Sequence, residues 1–210
     1  AGDAMATTIW GTASSWTLTA LPLFVWMGEI LFRTRLSENL FKGLSPWMQK
    51  LPGGLIHVNV VGCALFAAIS GSSAATVATV GKMSIPELRK RKYPEKILLG
   101  SLAGSGTLGL LIPPSIILII YGVTVQESIA KLFIAGIFPG IMIALIFMSY
   151  VIIWSLINHK IMPKVYETSS LLDKIKKSKQ LLPVILLILG VIGSIYTGVA
   201  TATEAASLGV

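Results

Sequence analysis

The chain has 210 residues, of which 54% are hydrophobic and 12% charged, with a net charge of +8 and a mean hydropathy of +0.80. Soluble domains usually carry about 25% charged residues, so this composition excludes an ordinary soluble domain. Five stretches without Asp, Glu, Lys or Arg are long enough to cross a bilayer, which takes about 20 apolar residues. The sequence therefore predicts an all-α integral membrane protein with several spans. The uncharged stretches are residues 4–28, 51–81, 97–126, 132–158 and 181–203.

Basic residues are concentrated between the uncharged stretches. Of the 17 Lys and Arg residues, 16 lie in a first (33–50), a second (82–96) and a third basic segment (159–180). The positive-inside rule places all three on the cytoplasmic side, where they face membrane lipid and not nucleic acid. This pattern predicts transmembrane spans at residues 1–35, 128–158 and 181–197, and a basic cytoplasmic loop at residues 159–180.

Residues 51–81 alone separate the first two basic segments, so a single crossing would place those segments on opposite sides of the membrane. A re-entrant hairpin keeps them on one side, because two arms of about 14 residues reach only about 20 Å each. Its tip is predicted at residues 70–73, within the small and polar sequence ISGSSAATVATVG. One long tilted helix is the alternative. Residues 36–50, with apolar residues at helical spacing, are predicted to form an interfacial amphipathic helix bent near Pro46.

Residues 97–126 are predicted to form a broken transmembrane helix. Pro113 and Pro114 end one helix and begin another, because neither has an amide hydrogen to donate. A helix break that meets the hairpin tip near the midplane would offer carbonyl ends to a cation and amide ends to a carboxylate. The glycine and serine residues have an alternative explanation, since small residues also allow transmembrane helices to pack closely.

The oxygen atoms available at this meeting point are all neutral, and a hard monovalent ion such as sodium fits them. Proton relays instead tend to use intramembrane carboxylates or histidines. His57 is interpreted as an interfacial or structural residue, and Glu29 as the i+4 partner of Arg33. The candidate ligands are Ser70, Ser72 and Ser73 of the hairpin tip, and Gly106, Gly109 and Ile112 opposite it, with Pro114 fixing the break.

A second re-entrant hairpin is predicted to begin at residues 198–210. Its sequence YTGVATATEAA is similar to ISGSSAATVAT and follows an additional span. It would therefore enter from the opposite side, as expected for an inverted-topology repeat. Its candidate polar residues are Gly198, Thr201 and Thr203. Because the chain begins with Ala1 and stops at Val210, we expect it to be a fragment of a larger protein.

Five segments resemble, in the same order, the large membrane subunit of TRAP transporters, the tripartite ATP-independent periplasmic transporters. The resemblance implies an inverted-repeat, elevator-type permease that takes up organic acids such as C4-dicarboxylates or sialic acids with sodium across the bacterial inner membrane. It also implies two partners, a smaller membrane subunit and a soluble periplasmic binding protein. The segments are PLFVWMGEIL (22–31), LPGGLIHVNVVGCALFAAISGSSAAT (51–76), AGSGTLGLLIPPSIILIIYG (103–122), ESIAKLFIAGIFPG (127–140) and YTGVATATEAA (196–206).

The same resemblance implies two sodium sites. The first is formed by the first hairpin and the broken helix, and maps to Ser70, Ser73, Gly109, Ile112 and Pro114. The second lies at the second hairpin and maps to Gly198, Thr201 and Thr203, with its remaining ligands expected beyond Val210.

Two other functions are considered. A passive channel or scaffold is one alternative. A channel would favour a pore lined with charge rings or hydrophobic gates, and neither is evident in the sequence. An intramembrane serine hydrolase would need Ser72 or Ser73 within hydrogen-bond reach of His57, which lies about 20 Å away along the same helical arm. The chain is therefore not expected to be an enzyme.

Overall fold

A computed structural model describes residues 2–34, 36–163 and 171–210, and these residues form helices without any β-strand. The predicted all-α class is confirmed. Arg35 and residues 164–170 of the basic segments lie outside the described residues. The α-helices of the described part are α1 (Gly2–Ala13), α2 (Ala20–Arg33), α3 (Leu36–Met48), α4 (Ile56–Ser70), α5 (Ser73–Lys90), α6 (Glu95–Gly106), α7 (Ile116–Val125), α8 (Ile129–Ile157), α9 (Leu171–Ser178), α10 (Leu182–Tyr196) and α11 (Ala202–Gly209). Short 3₁₀ helices cover Trp16–Thr19, Thr107–Leu110 and Lys179–Leu181.

Where one span is predicted over residues 1–35, the structure has two helical pieces that meet at an angle of 50°. The bend follows α1 at Ser14 and Ser15. Ser14 donates its hydroxyl to the Trp10 carbonyl, 2.7 Å away, and Ser15 adopts an extended conformation. Serine side chains compete in this way with the helical backbone bonds. The predicted ion pair between Glu29 and Arg33 of α2 is present. Arg33 Nε donates to Glu29 Oε1 at 2.8 Å.

Two helical segments of the described part are long and apolar enough to cross a membrane. They are Ile129–Ile157 and Leu171–Tyr196, and the bent pair at the N-terminus could supply a third span. Large apolar side chains such as Phe138 and Ile157 point outward from α8 and are about three-quarters exposed. Such an outer surface suits contact with lipid rather than water. The sequence predicts a loop over residues 159–180. The end of this third basic segment is instead helical and continues into α10.

Helices α4 and α5 form an antiparallel hairpin that turns at Gly71 and Ser72. A Cβ atom on Gly62 would lie 3.6 Å from Val80 Cγ1, so the two arms pack closely side by side. The first arm is buried along most of its length. The second arm continues to Lys90, so most of the second basic segment is helical rather than a loop. The depth of this hairpin in the membrane stays a prediction.

Helix α3 brings the three basic segments together at one end of the molecule. It packs against α4, α5 and α9, and buries Leu40 and Leu44. Trp47 Nε1 donates to Ser178 Oγ at 2.7 Å, and the Lys174 ammonium lies 5.4 Å from the centre of the Trp47 ring. The positive-inside prediction requires these segments to share one side of the membrane, and this packing is compatible with it.

Candidate functional site

The hairpin tip is shaped by one glycine and one serine. Gly71 has a φ of +60°, a left-handed conformation that ends α4 and that residues with a side chain rarely adopt. Its amide donates to the Ala67 carbonyl at 3.1 Å. Ser72 is extended and begins α5 as its N-cap, accepting a bond from Ala75 N at 3.4 Å. The chain therefore reverses within two residues and leaves the amide end of α5 at the tip.

The three tip serines differ in how their hydroxyl groups are bonded. Ser70 Oγ is buried and lies 3.0 Å from Thr76 Oγ1, so it is held within the hairpin. Ser72 Oγ forms the N-cap described above. Ser73 Oγ is buried and has no hydrogen-bond partner in the part of the chain that the structure describes. A buried polar group without a partner costs about 1–3 kcal/mol, and a bound ion would supply the missing partner for Ser73.

The helix break consists of residues 111–115, between the 3₁₀ helix Thr107–Leu110 and α7. Leu111 N and Ile112 N both donate to the Leu108 carbonyl, at 3.0 and 2.8 Å, and these bonds end the first half of the broken helix. Ser115 Oγ donates to the Leu110 carbonyl at 2.6 Å, which bridges the break. The second half begins at Ile116, so the amide end of α7 opens toward the break.

The tip and the break touch through backbone atoms. Ile116 N donates to the Gly71 carbonyl at 3.3 Å, which joins the start of α7 to the end of α4. A Cβ atom on Gly71 would lie 2.6 Å from the Pro114 carbonyl oxygen. A Cβ atom on Gly109 would lie 2.8 Å from Ser73 N. Real Cβ contacts are almost never this short, so both glycines are required by the close approach.

The structure brings most of the predicted first-site residues together. Besides Ser70, Ser72, Ser73, Gly109 and Pro114, it places Gly106 next to the side chain of Val77 on α5. A Cβ atom on Gly106 would also lie 3.8 Å from the Ser73 carbonyl oxygen. The side chain of Ile112 instead packs against Gly140 of α8, so any ligand from Ile112 would be its backbone carbonyl.

Two neighbours of the site were not singled out by the sequence reasoning. Thr76 holds the Ser70 hydroxyl, and its place in the SGSSAAT motif could have indicated it. Gly28 of α2 lies against the tip, where a Cβ atom would be 3.1 Å from Ser70 Cα. Its uncharged helical surroundings give no signal for this contact, because the two residues are far apart in sequence.

The predicted second-site residues lie in a separate turn between α10 and α11. Gly198 has a φ of +72° and follows the end of α10. Thr201 is the N-cap of α11, and its hydroxyl donates to Glu204 Oε2 at 2.8 Å. Glu204 also accepts from Thr201 N at 2.8 Å, which completes a capping box. The sequence reasoning missed Glu204, although the spacing T-x-x-E is the signature of this motif. Thr203 is buried.

Buried polar groups along α4 bond to neighbouring segments, while His57 Nδ1 and Asn59 Oδ1 have no hydrogen-bond partner among the described residues. His57 Nε2 lies 2.7 Å from the Pro52 carbonyl, at the end of α4 opposite to the tip serines. Asn59 Nδ2 donates to the Leu98 carbonyl at 3.2 Å and to Ser101 Oγ at 3.0 Å, which ties α4 to α6. His57 therefore occupies a position that suits a structural residue and does not suit the base of a serine hydrolase.

The chemistry available at the site is that of neutral oxygens and helix ends. No group of three or more His, Cys, Asp or Glu residues comes together anywhere in residues 2–34, 36–163 and 171–210. Hydroxyl and carbonyl oxygens are ligands for hard cations rather than for transition metals. The amide ends of α5 and α7 carry partial positive charge and suit an anionic group. One small region thus combines neutral oxygen atoms with two helix N-termini.

Comparison with known proteins places these features in a family context. Residues 1–210 match the family model described as "Tripartite ATP-independent periplasmic transporter, DctM component". The C4-dicarboxylate TRAP transporter large permease protein DctM of Pseudomonas aeruginosa is 36% identical over 204 residues, which are 97% of this chain and 47% of that protein. The sialic acid TRAP transporter large permease protein SiaM of Vibrio cholerae is 34% identical over 200 residues, 94% of this chain and 46% of that protein.

A third relative has a different named substrate. The ectoine/5-hydroxyectoine TRAP transporter large permease protein UehC of Ruegeria pomeroyi is 34% identical over 195 residues, 90% of this chain and 44% of that protein. The chain thus spans about half the length of the curated relatives it matches.

Proposed function

Because the chain belongs to the DctM component family of tripartite ATP-independent periplasmic transporters, we propose that the whole protein is the permease subunit of a sodium-coupled transporter for a small organic acid anion. The family resemblance carried by the sequence motifs is confirmed. The relatives named for C4-dicarboxylates and sialic acid support an organic acid as the substrate. They are permeases, which argues against an enzyme.

The single observation that supports sodium coupling is the state of Ser73. Its hydroxyl is buried at the tip of the hairpin, against Gly109, and has no hydrogen-bond partner within residues 2–34, 36–163 and 171–210. A sodium ion would take this oxygen as a ligand together with backbone carbonyls of the tip and the break. We propose Ser70, Ser72, Ser73, Gly106, Gly109, Ile112 and Pro114 as the region of the first ion site. We propose Gly198, Thr201 and Thr203 as this chain's part of a second one.

The substrate anion is proposed to bind beside the ion, at the amide ends of α5 and α7. Both helix ends adjoin the contact between Gly71 and Ile116. Partial positive charge at a helix N-terminus stabilises a carboxylate, and the bound cation adds to that attraction. Ion and anion would thus favour each other's binding, which is the thermodynamic requirement for coupled transport.

An elevator mechanism needs a rigid unit that carries the site across the membrane. The hydrogen bonds of Asn59 to α6, and of Gly71 to Ile116, support such a unit made of α4, α5, α6 and α7. We propose that this unit moves against α8, with α3 as a brace at the cytoplasmic surface. A smaller membrane subunit, a soluble periplasmic binding protein and a location in the bacterial inner membrane complete the proposal.

The proposal is tested by uptake into proteoliposomes that contain the full-length protein and its partners. Radiolabelled succinate and sialic acid serve as probes of the two substrate classes. An imposed inward sodium gradient should drive accumulation of one probe above its external concentration. Vesicles with equal sodium on both sides are the control. Equal accumulation with and without the gradient would overturn sodium coupling.

A further inference from the structure

A basic cleft opens where the three basic segments meet. It has a volume of about 280 Å³ and lies between α3, the end of α5 and the end of the third basic segment. Its polar lining comprises Lys42, Ser45 and Gln49, then Glu87 of α5 and Arg91 just beyond the end of that helix, with Lys177 and Gln180 opposite. Among these described residues three side chains are cationic and one is anionic, so the lining carries a net charge of +2.

Two of the cations are available to a ligand. Arg91 Nε already donates to Glu87 Oε1 at 2.7 Å. Lys42 lies 3.6 Å from Glu38, and both side chains are more than half exposed, so this pair is weak. Lys177 enters no ion pair within the described residues. Lys42 and Lys177 thus line the cleft from two different basic segments, and both ammonium groups are available to an anion.

The surroundings of the cleft distinguish a lipid headgroup from a free anion. Phe41 lines the basic cleft and also an apolar crevice formed with Leu40, Leu44, Val80 and Met83. That crevice has a volume of only about 10 Å³, so the acyl chains of a lipid in the cleft would lie along the half-buried Phe41 at the outer surface and not inside the crevice. Trp47, partly exposed on the same helix, suits the headgroup level of a membrane.

A neighbouring cleft extends the same basic surface. It has a volume of about 350 Å³, shares Phe41, Lys42 and Glu87 with the basic cleft, and adds the cations Lys82 and Lys90 and the anion Glu38. Basic pockets between transmembrane helices on the cytoplasmic side are suited to anionic lipid headgroups. We infer that the basic cleft is a binding site for the phosphate of an anionic phospholipid of the cytoplasmic leaflet, held between Lys42 and Lys177. This inference is independent of sodium coupling.

The site is tested by lipid titration of the full-length protein, purified in detergent and stripped of lipid, with native mass spectrometry as the readout. Phosphatidylglycerol is the probe, and phosphatidylcholine is the neutral comparison. The variant is K42Q/K177Q. The matched control is K160Q/K176Q, which removes the same charge from exposed positions that do not line the cleft.

The dissociation constant for phosphatidylglycerol should rise about 25-fold in K42Q/K177Q, or about fivefold per lysine, and less than twofold in the control. Phosphatidylcholine should not compete. Equal dissociation constants in the two double variants would overturn the site. Competition by inorganic phosphate at the same concentration as the lipid would overturn the lipid as its ligand. Neither sodium nor substrate is present, so failure here leaves the transport proposal untouched.

Discussion

Gly109 lies in direct contact with Ser73. A Cβ atom at position 109 would be 2.8 Å from the Ser73 backbone nitrogen and 2.9 Å from the carbonyl carbon of Ser72. These are backbone atoms, which cannot swing aside as the end of a flexible side chain can. The absence of a side chain at Gly109 therefore sets the distance between the hairpin tip and the helix break, and with it the size of the candidate ion site.

Gly109→Ala should force the tip away from the break. We expect the variant to be less stable by about 1–3 kcal/mol, the usual cost of overpacking, and to need several times more sodium for half-maximal uptake. The measurements are thermal unfolding in detergent and sodium titration of uptake. Gly100→Ala is the matched control, because nothing lies within 4 Å of a Cβ at that position of α6. Equal behaviour of the two variants would contradict the tight contact.

Ser73→Ala separates ion binding from folding. The Ser73 hydroxyl has no hydrogen-bond partner among the described residues, so its removal should leave thermal stability unchanged or slightly higher. If the hydroxyl is a sodium ligand, the sodium concentration for half-maximal uptake should rise about tenfold. Ser84→Ala is the control, since Ser84 Oγ on the same helix is also buried and unpaired. A sodium dependence that is the same in both variants would remove Ser73 from the ion site.

Local signals in the sequence place the turn and the break, whereas the contacts between them depend on the tertiary structure. Small polar residues and charge placement point to residues 70–73, and the chain turns there at Gly71 and Ser72. The double proline likewise coincides with the non-helical residues 111–115. Which hydroxyl stays unpaired depends on side-chain rotamers and on Thr76, and no spacing rule reveals that.

A helix bend and a contact between distant helices could not be predicted from the sequence, each for its own physical reason. The bend between α1 and α2 occurs at two serines, without a proline or glycine to mark it. The contact of Gly28 with Ser70 joins helices that are distant in the chain. The capping box of Thr201 and Glu204, by contrast, is a local pattern, and the T-x-x-E spacing was sufficient to predict it.

Asn59→Leu tests whether α4 and α6 are joined by a polar contact. The substitution keeps the branched, four-atom shape of the side chain and removes both donations from Asn59, to the Leu98 carbonyl and to Ser101 Oγ. We expect a loss of about 1 kcal/mol in thermal unfolding, since hydrogen bonds between membrane helices are worth about 0.6–1.7 kcal/mol. Asn158→Leu is the control, because the described bond of the Asn158 side chain goes to the Trp154 carbonyl, four residues earlier in the chain, and joins no second helix. A smaller loss in Asn59→Leu than in the control would refute the link.

Cysteine labelling tests the hairpin topology. If residues 51–81 enter and leave on one side, Lys42→Cys, Lys90→Cys and Lys176→Cys should all react with a membrane-impermeant maleimide from the cytoplasmic side. Gln126→Cys, in the turn between α7 and α8, should react only from the opposite side. The native Cys63 is buried, so it should contribute little background. If residues 51–81 instead crossed once, Lys90→Cys and Lys176→Cys would label from the side opposite to Lys42→Cys, and Gln126→Cys would label from the same side as Lys42→Cys. The three basic segments could then not share one leaflet, and the basic cleft would lose its lipid.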